Sequence, residues 1–361
     1  MPAFFDNNPH VINTDAKLAA LLPAIKSAEW LALDTEADSL HAYPEKVCLI
    51  QITTTAGDRL VDPLAGIDLA PLLAALKSHE IIMHGSDYDL RLLHKHHQFT
   101  PTAIFDTMLA ARLLGELQFG LGSLVEKFLG VKLDKGSQKA DWARRPLTEK
   151  MEIYARNDTH YLKPLADKLR QGLEQKNRLA WHQESCARLI AECSQPPVVD
   201  GDFAWRIKGS SHLNRAELAV LRELWHWRER EAIAANRPPF FVLNHETLTE
   251  VACAAAGNHP VENLLPARMS PRRRETLLES VRAGLAVSAD QQPEIIRQKF
   301  DRPSEFERRR NAELARRRDA HARKLAIDPT LIASKSVLGG LARDWDQHAP
   351  ELMNWQRELL K

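Results

Sequence analysis

Every strand-length apolar run in this chain falls in its first quarter. Trp30–Leu33, Val47–Ile52, Arg59–Val61 and Ile81–Met83 are short and bounded by turn or polar residues, which predicts four strands. The first three follow one another closely, as in an antiparallel meander. Helical periodicity precedes them over Asp15–Ala28. It follows them over Ser86–His97, Ile104–Leu114, Leu121–Leu129 and Leu147–Leu173. Beyond residue 205 no segment reads as a strand. The expected architecture is an α/β domain over residues 1–193 and a linker over 194–204 containing Gln195-Pro196-Pro197. Two small all-α domains follow, over 205–290 and 295–361.

The helical half repeats itself at an offset of 90 residues. Glu217, Glu223, Leu224, Arg228, Pro239, Leu248, Ala252 and Pro260 match Glu307, Glu313, Leu314, Arg318, Pro329, Leu338, Ala342 and Pro350 without a gap. Two copies are too few for a solenoid, so each reads as a small domain. The first continues into another periodic stretch, Pro271–Leu285. The chain ends where the second would begin its equivalent, so the second copy is either truncated or completed by other contacts.

Composition narrows the function. With 44% hydrophobic and 27% charged residues, the chain suits a folded globular protein. No run of 18 apolar residues suggests a membrane span, and the N-terminus shows no leader pattern. Cys48, Cys186, Cys193 and Cys253 are scattered, which argues against a disulfide framework or a thiolate zinc site and for a cytoplasmic home. Residues 1–100 carry 7 basic and 13 acidic side chains; the rest carry 42 and 35. That split suits a metal-using catalytic part joined to a polyanion-binding part, though ordinary surface variation would also produce it.

Three acidic segments carry candidate chemistry. In Leu33-Asp34-Thr35-Glu36, at the end of the first predicted strand, positions i and i+2 face the same side. Two adjacent carboxylates repel unless cations separate them, and hard oxygen ligands suit Mg²⁺ or Mn²⁺. In His84-Gly85-Ser86-Asp87-Tyr88-Asp89-Leu90, at a strand-to-helix junction, Asp89 is a candidate ligand, and Ser86-x-x-Asp89 reads equally as a capping box. Tyr154 and Asp158, at i and i+4, share one helix face. Each segment alone is common; their order along strand, helix and helix is not. By contrast, His94, His96 and His97 lack the spacing of a zinc pair, and Gly120-Leu121-Gly122 lacks the rest of a nucleotide loop.

Together the three segments resemble the DEDD exonucleases of the Tyr subtype, and among them the ribonuclease D family. Trp30–Ile52 (WLALDTEADSLHAYPEKVCLIQI) is similar to the family's first motif, and His84–Leu93 to its second. Asp141-Trp142-Ala143-Arg144-Arg145-Pro146-Leu147, with Tyr154 and Asp158, is similar to its third. The repeats resemble the helicase-and-RNase-D C-terminal (HRDC) domain, marked in the first copy by Arg237-Pro238-Pro239-Phe240. The resemblance implies a ribonuclease-H-like mixed sheet and two divalent cations, Mg²⁺ or Mn²⁺, held by Asp34, Glu36, Asp89 and Asp158. Asp89 is preferred to Asp87 because it precedes an apolar residue at the helix start. Tyr154 would orient the attacking water. The implied reaction is 3′→5′ release of 5′-mononucleotides from RNA with a free 3′ end, in transfer-RNA 3′ processing, without an obligate protein partner. A DNA exonuclease shares the motifs. An inactive nucleic-acid-binding scaffold is the other alternative, against which all five catalytic residue types argue.

Substrate contacts are less constrained. His41 and Tyr43 follow the first motif and could meet the last nucleotides or simply pack a loop. Lys139, Arg144 and Arg145 could touch phosphates or be solvated. Residues Arg302–Lys324 hold 9 basic and 4 acidic side chains, with Arg309, Arg316 and Arg323 repeating every seven residues. That stripe could follow a phosphate backbone or only solvate a helix.

Overall fold

A computed structural model describes residues 10–134, 136–195, 201, 203–296 and 302–361. Most of the expected linker lies outside the described residues, as do the first nine residues and positions 297–301. Six strands form one mixed sheet: β1 (Val11–Ile12), β2 (Leu31–Ala37), β3 (Val47–Thr54), β4 (Gly57–Val61), β5 (Glu80–Met83) and β6 (Ala103–Asp106). Their order is β1-β4-β3-β2-β5-β6. The meander β2-β3-β4 is antiparallel; β5 lies parallel to β2, and β6 parallel to β5.

One face of the sheet is covered by α1 (Asp15–Lys26), α2 (Ala70–Leu76) and α3 (Asp87–His97), which bury Leu31, Leu33, Ile50 and Ile52. The other face meets α4 (Thr107–Leu114), α5 (Leu121–Leu129), α6 (Glu149–His160) and α7 (Leu162–Gln175); α8 (Leu179–Cys193) follows.

Two sequence expectations need correction. Ala103–Asp106 is a strand, and the helix expected from Ile104 starts only at Thr107. Asp106 stops the strand by capping the helix, accepting from Met108 and Leu109 N–H at 2.8 and 2.9 Å. The single helix expected over Leu147–Leu173 is two, α6 and α7, meeting at Tyr161. Strand β1, only two residues long, was not anticipated because so short a run carries no period.

The chain divides into two compact units. One contains the sheet, its helices and the second helical repeat; the other contains the first repeat together with Ser39–Glu45. The first repeat comprises α9 (Arg215–Ala235), α10 (Pro239–Val242), α11 (His245–Ala256) and α12 (Pro271–Leu285) around its own core of Leu224, Trp227, Leu248 and Leu277. The second comprises α13 (Glu305–Leu325), α14 (Pro329–Ile332), α15 (Lys335–Arg343), α16 (Trp345–His348) and α17 (Asn354–Leu360). Its apolar side chains merge with those of α4, α5 and α7 into one core.

Candidate active site

Alternation along β2 turns Asp34 and Glu36 toward the face covered by α6. Helix α6 is fixed there by its own apolar stripe. Met151 and Ala155 pack on Leu49 and Leu60, and the Thr159 and Thr53 hydroxyls hydrogen-bond at 2.7 Å. Thr148 caps its N-terminus by accepting from Met151 N–H. In its last turn, Asp158 meets the two acids of β2. Carboxylate oxygens of Asp34, Glu36 and Asp158 lie within 4.8 Å of one another, the only such group of potential metal ligands among the described residues.

Asp89 approaches from the first turn of α3. The backbone N–H of Thr35 donates to its Oδ1 at 3.1 Å, and the Thr35 hydroxyl donates to the same atom. Thr35, the middle residue of Asp34-Thr35-Glu36, thereby fixes the acid of the second segment, a role the sequence reading did not assign. Asp87, two residues away, is exposed and paired with Arg91 on α3, which holds its carboxyl below the usual range.

The electrostatics are those of a crowded anion cluster. Burial, then repulsion from the neighbouring acids, pushes Glu36 up to about 9 and holds Asp34 well above the usual carboxylate range. Burial raises Asp158 to about 7, with Asp89 adding to the shift and the Tyr154 hydroxyl, which donates to Asp158, opposing it. Asp89 rises to about 6, again chiefly through burial. Tyr154 stays protonated, because burial and the adjacent Asp158, Glu36 and Asp34 drive its phenol upward. The buried Trp142 ring lies tilted against that of Tyr154 at a centroid distance of 6.0 Å.

The donor set is entirely carboxylate oxygen, without histidine or cysteine. Such a set fits hard divalent cations such as Mg²⁺ or Mn²⁺, whose charge removes the repulsion that otherwise favours protonation.

The other named residues are placed differently. Arg145 is a strut: its guanidinium grips both oxygens of Asp62 at 2.6 Å and also donates to the Cys48 and Trp142 carbonyls. The Tyr43 hydroxyl donates to Glu229 at 2.5 Å, and burial together with that carboxylate pushes its phenol up to about 12. His41, Lys139 and Arg144 are exposed. Arg309, Arg316 and Arg323 are exposed on α13, on the side opposite its buried Leu314, Arg318 and Ala322. Glu305 pairs with Arg309. A buried acid outside the expected set, Asp38, takes Lys46 at 2.8 Å at the base of the β2–β3 loop.

Comparison with known proteins gives the geometry a context. Residues 9–174 match the 3′-5′ exonuclease family and residues 217–258 the HRDC domain. The chain is 30% identical to a ribonuclease D from Zymomonas mobilis, covering 97% of this chain and 92% of that one. It is 31% identical to a ribonuclease D from Cronobacter turicensis, covering 97% of both. The crystal structure of Escherichia coli RNase D, described as an exoribonuclease involved in structured RNA processing, superposes with a TM-score of 0.75. The identity there is 28%, over 97% of this chain and 96% of that one.

Proposed function

The chain belongs to the ribonuclease D family and is a 3′→5′ exoribonuclease, and from that premise we propose that it works with two divalent cations on the 3′ ends of transfer-RNA precursors in the cytoplasm. The observation that carries the metal reading is the convergence of Asp34, Glu36 and Asp158 at mutually repelling distance. These three and Asp89 would hold the cations. The chemistry such cations supply when bound is activation of a water and stabilisation of the leaving 3′-oxyanion. Tyr154, protonated and already donating to Asp158, orients the attacking water rather than deprotonating it. Thr35 keeps Asp89 aimed inward. The products are 5′-mononucleotides.

For substrate contacts the candidates are His41 and the stripe Arg309, Arg316 and Arg323, all exposed to solvent; Tyr43 donates to Glu229 and Arg145 braces Asp62. Among the described residues no helix is long and apolar enough to cross a membrane.

The test uses metal-stripped protein and 5′-labelled single-stranded RNA. Adding Mg²⁺ should give a ladder shortening one nucleotide at a time from the 3′ end, and a circular RNA should resist. Full activity after exhaustive chelation sinks the metal reading. Equal turnover of 3′-extended transfer RNA and an unrelated structured RNA removes the transfer-RNA assignment.

A further inference from the structure

Gln51 sits at the centre of β3, fully buried, and neither its amide N–H₂ nor its carbonyl oxygen has a hydrogen-bond partner within the protein. Among the described residues it is the one side chain that leaves both a buried donor and a buried acceptor unpaired. Each such group carries a desolvation penalty that no partner offsets, so a polar side chain held this way calls for an explanation.

Register supplies one. Gln51 is the direct cross-strand partner of Asp34 in the antiparallel pair β2-β3. Partners in such a pair point to the same face, with Cβ atoms about 4.5–5.5 Å apart. The neighbours of Gln51 on that face confirm its direction: Leu49 packs against Met151 and Ala155 of α6, and Thr53 hydrogen-bonds Thr159. Gln51 therefore lies beneath the turn of α6 that carries Asp158, with its amide beside Asp34. A carboxylate that gives one lone pair to a cation keeps others that can accept from an N–H donor. A neutral amide can fill that role without adding a positive charge that would compete with the cation. An arginine or lysine there would neutralise the site.

We propose that Gln51 is a positioning residue whose amide N–H donates to the Asp34 carboxylate in the cation-loaded site, fixing the orientation in which Asp34 holds the metal. This rests on the metal reading above.

The test replaces Gln51 with an apolar side chain of similar length, Gln51→Met, with Gln51→Leu as a second variant should methionine pack poorly. Three quantities are read: the melting temperature of the metal-free protein, Mn²⁺ binding by titration calorimetry, and kcat and KM against Mg²⁺ concentration. Removing an unpaired buried amide should leave the metal-free melting temperature unchanged or raise it. Partners that orient metal ligands typically contribute roughly 10- to 100-fold in metal affinity, and a loss of that size is expected, with KM for RNA unchanged. Wild-type Mn²⁺ affinity in both variants overturns the proposal, whether or not the melting temperature falls. Wild-type protein is titrated alongside: if it binds no Mn²⁺, the metal reading itself has failed. If it binds and the variants match it, only the role of Gln51 has.

Discussion

The two helical repeats carry the same internal signals and are finished in different ways. In both, the matched leucines and alanines are buried: Leu224, Leu248 and Ala252 in the first, Leu314, Leu338 and Ala342 in the second. Both matched arginines, Arg228 and Arg318, are buried against a neighbouring acid, Glu229 and Asp319. Pro239 and Pro329 each open a one-turn helix at the position where a missing N–H costs nothing. The first copy then closes its core with α12, packed so tightly on α9 that a Cβ on Gly284 would lie 2.5 Å from the Val220 Cα. Among the described residues no helix takes that place in the second. The stretch corresponding to the loop before α12 becomes α17, and Trp355 stacks on Trp181 of α8 at 4.9 Å.

The exonuclease side is built to receive it. Arg178, buried, donates to the Leu113 and Leu325 carbonyls at 2.6 and 2.7 Å. Glu184 accepts the Asn354 N–H at 2.7 Å, capping α17. A Cβ on Gly115, whose φ is +92°, would lie 2.0 Å from the Ala326 carbonyl oxygen. The lesson is that a repeat conserved in pattern can be a self-contained domain in one copy and part of a neighbour's core in the other.

Catalytic activity is the readout that separates the two copies, so its own largest lever comes first. Asp158→Asn should reduce exonuclease activity by orders of magnitude while the metal-free melting temperature holds or rises, since one of the repelling carboxylates is gone. Near-normal activity with unchanged stability would remove Asp158 from the site.

The next largest effect tests the comparison itself. Trp355→Ala should cost about 3–5 kcal/mol and lower the stability of the exonuclease unit with it. Trp227→Ala, buried in the first repeat and donating to Thr276 at 3.0 Å, should cost a similar amount there. It should leave the turnover of short oligonucleotides intact. Equal loss of that turnover in both variants would break the distinction between the copies.

Protonation gives a smaller, graded effect. Glu36 and Asp158 have folded pKa values raised to about 9 and about 7, above their values in the unfolded chain. Their contribution is present below the unfolded carboxylate range and is lost as pH rises through those raised values. The metal-free melting temperature should therefore fall between roughly pH 5 and pH 9. Saturating Mg²⁺ should flatten that fall, and the Mg²⁺ needed for half-maximal rate should drop as pH rises. A metal-free melting curve independent of pH would show that burial and mutual repulsion do not raise these acids.

The smallest effect concerns the exposed side of α13. The triple change Arg309→Ala, Arg316→Ala, Arg323→Ala should alter stability by no more than about 0.5 kcal/mol. It should weaken RNA binding several-fold and reduce the salt dependence of affinity by up to about three units of slope. An unchanged slope assigns the stripe to solvation.

The local pattern alone determined the meander, the acids of β2 and α6, and the repeat, because alternation and helical period are properties of neighbouring residues. The four principal acids and the tyrosine were legible as ordered segments. Asp89 was preferred to Asp87 only because Leu90 follows it; both sit in the first turn of one helix, and the tertiary contacts, Arg91 for Asp87 and Thr35 for Asp89, give the physical difference. Arg145 read as either a phosphate contact or a solvated side chain, because an arginine just before a helix looks the same in sequence whether it faces solvent or Asp62. Gln51 read as one polar residue in an apolar strand; register against β2 is what sets it beside Asp34. The completion of the second repeat was likewise left open by the sequence pattern. Which surface covers an apolar face depends on residues far away in sequence, Trp181 and Arg178 here, and only the packed structure brings them together.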